Sequence, residues 1–193
     1  MARKMAHPLS EDKRTAILEA AAEVVATLGV SAPTAKIAKG AGVADGTLFT
    51  YFANKDELLN QLYLELKTDL RDAMMTGYPA GKGLIDRNRH VWDRFIDWGS
   101  AHPLKRRAMR QLAVSDRITE ESKKLVRDAF EEFDDMMREC AARGAMRHQP
   151  PSFVSAIMSA IGDTTMDFIV REPAQAKRYK KAGFDAFWNA VAG

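Results

Sequence analysis

The chain has 193 residues, 46% of them apolar and 28% charged, with a net charge of +3 at pH 7. That length suits one core or two small ones, and the apolar content separates the chain from disordered sequences. No run of about 18 uninterrupted apolar residues exists, so no membrane-spanning helix is expected, and a single cysteine, Cys140, excludes an intrachain disulfide.

The start, Met1 to Pro8, carries charge but no apolar stretch behind it. It does not read as a secretory signal, and a cytoplasmic address is the expectation. Cys140 reads as a small buried hydrophobe rather than a redox sensor. The positive charge is compatible with nucleic acid. Its distribution does not point to the N-terminus, because residues 1–60 hold seven basic and seven acidic side chains.

In chain order, Ser10 with Glu11 and Asp12 reads as a helix start: a cap, then acids at the positive end of the dipole. Ile17, Leu18, Ala21, Val24, Val25 and Leu28 follow at helical spacing, and Gly29 ends the helix. A short second helix opens at Pro33-Thr34 and breaks at Gly40-Ala41-Gly42. A short third runs from about Ala44 to Phe52. Asn54 and Glu57 form a capping-box arrangement for a fourth, with an apolar face of Leu59, Leu62, Tyr63, Leu66 and Leu70. Gly77 to Gly83 is a flexible break. Five further helices are predicted near residues 84–101, 103–114, 119–143, 151–171 and 174–191, separated at His102-Pro103, Ser115-Asp116, Gly144, Pro150-Pro151 and Pro173. The expected fold is all-α, with about nine helices in two domains, 1–55 and 56–193, and a fourth helix that bridges both halves.

The segment from Thr34 to Lys55 carries the functional signal. Two short helices must cross at a wide angle to present the second to a major groove. Ala38 is small where the backbones approach, and Gly42 tolerates the left-handed turn. Ile37, Val43, Leu48 and Phe52 are spaced to pack the unit on the first helix, and Leu48, Phe49 and Phe52 each read as core. Asp45, Gly46, Thr47, Thr50 and Tyr51 remain outward.

Thr34, Ile37, Ala38, Ala41, Gly42, Val43, Gly46, Thr47, Tyr51, Phe52, Lys55 and Leu58 together resemble the TetR-type helix-turn-helix, over roughly residues 11–62. The resemblance implies an N-terminal three-helix DNA-binding bundle and a helical ligand-binding and dimerisation domain. It implies contacts to double-stranded operator DNA. Thr34 caps and meets a phosphate, Thr47 reaches a phosphate or base edge, and Thr50 can touch a thymine methyl. Tyr51 and Lys55 look like phosphate anchors, and Gly46 lets the backbone approach the duplex. Two departures stand out. Ala44 occupies a capping position usually held by Ser, so Asp45 is expected to cap instead of reading a cytosine amine, and Phe49 replaces a frequent Tyr. For Lys36 and Lys39 a solvated face and a phosphate contact remain equally open.

No enzyme signature is present. There is no Glu-x-x-His pair, no His-Glu-x-x-His and no cysteine pair for zinc. No cofactor or metal is expected, and His7, His90, His102 and His148 are scattered. Gly77 to Gly83 is one residue short of a P-loop. The basic groups Lys105, Arg106, Arg107, Arg110 and Lys177, Arg178, Lys180, Lys181 read as solvated helix faces, with a DNA-coupling role as the other option for the first.

Val154, Ile157, Met158, Ile161 and Phe168, then Phe184, Phe187, Trp188 and Val191, form two apolar stripes. They predict a homodimer built on the last two long helices, with Ser159, Ala160 and Gly162 permitting close approach. Part of these stripes is intrachain core. An apolar cavity is expected from Trp92, Phe95, Phe133, Met136, Met137 and Met158, with Met109 and Leu112 near its entrance. Each residue alone reads as core; the set reads as a site for a hydrophobic or aromatic effector. The expected function is a ligand-responsive transcriptional repressor, released when ligand shifts the fourth helix and changes the spacing of two recognition helices. The alternative is a small-molecule-binding helical protein with a vestigial DNA-binding domain.

Overall fold

The computed structural model describes residues 10–142 and 144–192. Readings that rest on Met1 to Leu9, including Arg3, Lys4 and His7, lie outside the described residues. Among the described residues there are ten α-helices and no strand: α1 (Glu11–Leu28), α2 (Thr34–Gly40), α3 (Asp45–Tyr51), α4 (Lys55–Met75), α5 (Leu84–Ala101), α6 (Pro103–Ala113), α7 (Glu120–Ala129), α8 (Glu131–Ala141), α9 (Pro151–Arg171) and α10 (Ala176–Ala192). A 3-10 turn, Pro173–Gln175, leads into α10.

The all-α class agrees with the sequence periodicity. One boundary differs. The single helix expected over 119–143 is two helices, because Phe130 (φ −105°, ψ 10°) leaves the helical region. Glu131, Glu132 and Asp134 then occupy the first turn of α8, where acids suit the positive end of a new dipole.

The chain divides into two compact units, one drawn from Met1–Leu66 and Leu104–Lys123, the other from Lys67–Pro103 and Lys124–Gly193. The division therefore departs from the expected 1–55 and 56–193. Its cause is that α6 and the segment after it pack with α1 and the start of α4. Gln111 Nε2 donates to Ala26 O at 3.3 Å, and Asn60 Nδ2 donates to Arg117 O at 3.0 Å.

In the first unit Ile17, Ala21, Val25, Ile37, Ala38, Leu48, Leu58, Leu59, Leu62, Ala108 and Leu112 are all at most 1% exposed. Each large one adds about 1.5–3 kcal/mol of burial. Leu28, expected on this face, is 50% exposed, because α1 ends there and Gly29 turns away at φ +86°. In the second unit α5 packs on α8, α9 and α10. Trp92 stacks on Phe187 with ring centroids 6.0 Å apart and donates its Nε1–H to Lys180 O at 3.0 Å. A Cβ on Gly162 would overlap the Phe95 ring, so Gly162 admits α9 against α5 within one chain and does not serve a contact between copies.

Candidate functional site

The α2–α3 unit is built on a tight turn. Gly42 sits at φ +67°, and Val43 N–H donates to Ala38 O at 3.0 Å. Ala38 is buried, as its small size predicts. A second close approach was missed from sequence: a Cβ on Gly40 would lie 3.2 Å from Ala20 Cβ, so the end of α2 rests almost directly on α1.

Behind α3, Leu48 and Phe52 are buried. Asp45, Gly46, Phe49 and Thr50 are exposed on its outer face, with Thr47 and Tyr51 half-buried beside them. Thr34 is half-buried, and Lys36 and Lys39 are exposed on α2. Phe49 differs from expectation: at 47% exposed it belongs to the outward face, not the core, because Leu48 and Phe52 already fill the inward positions. The α3 cap differs too. Ala44 is the N-cap residue and no side chain bonds there, so Asp45 does not substitute.

Three of the expected contact residues already have partners in the fold. Thr50 Oγ1 donates to Gly46 O at 3.2 Å. Tyr51 Oη accepts from Ser10 N–H at 3.1 Å and keeps its own proton to donate. Lys55 Nζ donates to Ala32 O at 2.7 Å, with burial, then Arg117, lowering its pKa against the pull of Asp56. An ammonium has three protons, so Lys55 can hold Ala32 and still face a phosphate.

The start of α4 is fixed from two sides. Asn54 Oδ1 accepts from Glu57 N–H at 2.8 Å, and Glu57 Oε2 accepts from Ala53 N–H at 2.7 Å, which realises the predicted capping arrangement. Buried Asn60 also donates to Asp56 O and accepts from Thr119 N–H and the Thr119 hydroxyl. Arg117 pairs with Asp56 at 2.6 Å. Sequence reading gave Asn60 no role; a lone Asn among the apolar residues of α4 was the available signal. Arg106, read as part of a solvated face, is 8% exposed.

The second unit contains a cavity of about 330 Å³. Leu70, Met74, Phe95, Phe130, Phe133 and Met158 supply apolar wall; Lys67, Arg127, Asp134, Ser152, Ser155 and Ser159 supply polar wall. Phe95, Phe133 and Met158 were expected here. Trp92, Met136 and Met137 are buried elsewhere in this unit, Trp92 against α10. Met109 and Leu112 lie in the first unit, since α6 packs there.

Of the residues expected between copies, Val154, Phe184 and Phe187 are 0–1% exposed, already covered within one chain and out of a partner's reach. Phe168 is 40% exposed, and Ile157, Ile161 and Trp188 are half-buried, with Trp188 stacked on Phe184.

Residues 17–62 match the family described as bacterial regulatory proteins, tetR family. A tetR family transcription regulator from Shewanella sp. PV-4 is similar in fold over nearly the whole length, with TM-score 0.81 and 27% identity, covering 94% of this chain and 98% of that one. The N-terminal segment is thus similar to the DNA-binding region of the tetR family, and the chain as a whole is similar in fold to a regulator of that family. A similar curated relative is the fatty acid metabolism regulator protein of Bacillus subtilis strain 168, 50% identical over 50 residues, which are 25% of this chain and 26% of that protein. The chain's match thus spans about a quarter to a third of the length of the curated relatives. The transcriptional regulator FadR from Bacillus subtilis, solved in complex with stearoyl-CoA, shares the fold at TM-score 0.67 and 17% identity, covering 92% of this chain and 99% of that one. The match of this chain to its curated relatives is confined to about 50–64 residues, whereas the likeness of fold extends over both units.

Proposed function

We propose that this chain is a cytoplasmic, homodimeric transcriptional regulator of the TetR family, a repressor released from operator DNA by a small apolar ligand. The observation that carries the DNA reading is the α2–α3 turn. It holds Leu48 and Phe52 inward and leaves a continuous outer face on α3. On that face Asp45, Gly46, Thr47, Thr50 and Tyr51 meet the duplex, with Thr34, Lys36 and Lys55 on its phosphates.

A homodimer is supported by α9, of whose most apolar stretch only 28% is buried within the chain. Half-buried Ile157 and Ile161 and exposed Phe153, Phe168 and Val170 are apolar positions that it leaves at least partly uncovered, and a two-fold contact is the common way to cover such a face. An apolar ligand is supported by the 330 Å³ cavity and by the relatives named for fatty acid metabolism and solved with stearoyl-CoA. Leu70 and Met74, in the cavity wall, belong to the same continuous helix that begins at Lys55. A ligand that displaces α4 therefore acts on an element directly continuous with the DNA-binding bundle.

Selection of bound duplexes from a randomised pool tests this reading. The expected product is a two-fold symmetric site with half-sites about one helical turn apart. Failure to enrich any duplex would refute it.

A further inference from the structure

On the reading that α3 is the recognition helix of a DNA-binding regulator, we infer that Phe49 is a base-reading residue: its ring packs on the 5-methyl group of a thymine in each operator half-site, with the Thr50 methyl beside it. On this face the operator is recognised by methyl groups rather than by paired hydrogen bonds to purine edges.

Three observations meet on the outer face of α3. Phe49 is 47% exposed, so a large apolar ring stands in solvent on a helix whose inward positions are already filled by Leu48 and Phe52. Thr50 Oγ1 is turned back to Gly46 O at 3.2 Å, so the group that exposed Thr50 has left to present is its methyl. Gly46 lies one turn earlier on the same face. It has no positive φ, and a Cβ there would meet nothing within 4 Å. The fold therefore does not require glycine at this position, although glycine inside a helix is destabilising. What the missing side chain provides is open space beside Phe49 and Thr50, through which a duplex can come close.

The chemistry of α3 favours a methyl group over other base features. Arg and Lys make paired hydrogen bonds to guanine, and Asn and Gln make them to adenine. The seven residues of α3, Asp45 to Tyr51, include none of the four. Ionised Asp45 only accepts, and guanine presents acceptors in the major groove, so the two do not match. Thymine alone of the four bases carries a methyl group there, and Phe and Thr are side chains that contact it. A protein partner could also cover an exposed ring, but the neighbouring groups fit DNA. Tyr51 keeps its own proton to donate, and Lys55 holds Ala32 O with one proton of three, so both can still reach a phosphate.

The test uses the full-length protein and the duplex enriched from the randomised pool, followed by fluorescence anisotropy. Thymine is replaced by uracil at one position of each half-site at a time, which removes only the 5-methyl group. At the position under Phe49 the replacement in both half-sites should weaken binding by about tenfold, since one buried methyl is worth about fourfold. Phe49→Ala should bind the thymine and uracil duplexes alike with an unchanged salt slope, and Phe49→Leu should keep the preference for thymine. Gly46→Ala should melt at a higher temperature and yet bind the thymine duplex more weakly; unchanged affinity would deny the close approach that the inference requires. Equal binding of thymine and uracil duplexes at every position by the unaltered protein would overturn the inference while leaving the chain a DNA-binding regulator. A preference for thymine that survives in Phe49→Ala would overturn it too. Enrichment of no duplex would refute both the inference and the reading on which it rests. The uracil comparison on unaltered protein holds even if a variant does not fold.

Discussion

Lys55 is proposed to serve two requirements, the fold through Ala32 O and a DNA phosphate. Its type and position were legible because a lysine at the start of α4 lies next to the recognition helix. Its bond to Ala32 O was not legible, because a carbonyl 23 residues away is brought close only by the finished bundle. Lys55→Met should therefore cost about 1 kcal/mol in a urea melt, as a charged hydrogen-bond donor is lost from a partly exposed site. It should also lower the salt slope of DNA binding by about one. A stability loss with an unchanged slope would assign Lys55 to the fold alone. Cys140 follows the bland expectation: it is buried, and desolvation pushes its thiol from 9.0 up to about 12. The thiol ionises more easily in the unfolded chain, so stability on this account is intact below pH 9 and falls as pH rises from about 9 to about 12. Native protein at pH 7.5 should resist a thiol reagent that labels it fully in denaturant; rapid labelling of the native form would contradict this.

At the level of elements, caps explain what was legible and what was not. Asn54 and Glu57 announce α4 because their chemistry is local, and both bonds form. The break at Phe130 carries no glycine or proline, so the helical periodicity of 119–143 runs through it unmarked. The bare N-cap of α3 at Ala44 gives a test with a gain as its outcome. Ala44→Ser should stabilise the protein by about 0.5–1 kcal/mol, measured by thermal melting, because it supplies the missing acceptor. Asn60→Ala should act in the opposite direction. It strips partners from Arg117 O, Thr119 N–H and the Thr119 hydroxyl, at a cost of about 1–3 kcal/mol. An unchanged melting temperature for both variants would mean that these end-of-helix bonds do not govern the stability of the first unit.

For the whole molecule, the apolar stripes on α9 and α10 were legible as stripes, yet sequence could not divide them between core and surface. Val154, Phe184 and Phe187 went inward because Trp92, Gly162 and Gly183 let α5, α9 and α10 close tightly. Ile161 and Phe168 kept part of their surface uncovered. Ile161→Glu with Phe168→Glu should convert a dimer to a folded monomer in light scattering at micromolar concentration; an unaltered dimer would place the interface elsewhere. The central claim, that the α3 face grips duplex DNA, is tested most directly by fluorescence anisotropy with DNA taken from upstream of the protein's own gene, titrated at several salt concentrations. The predicted result is saturable binding at 50 mM salt that weakens by about tenfold or more at 200 mM, along a straight line in log affinity against log salt. No binding at 50 mM salt, or binding indifferent to salt, would contradict it and leave the helix-turn-helix vestigial.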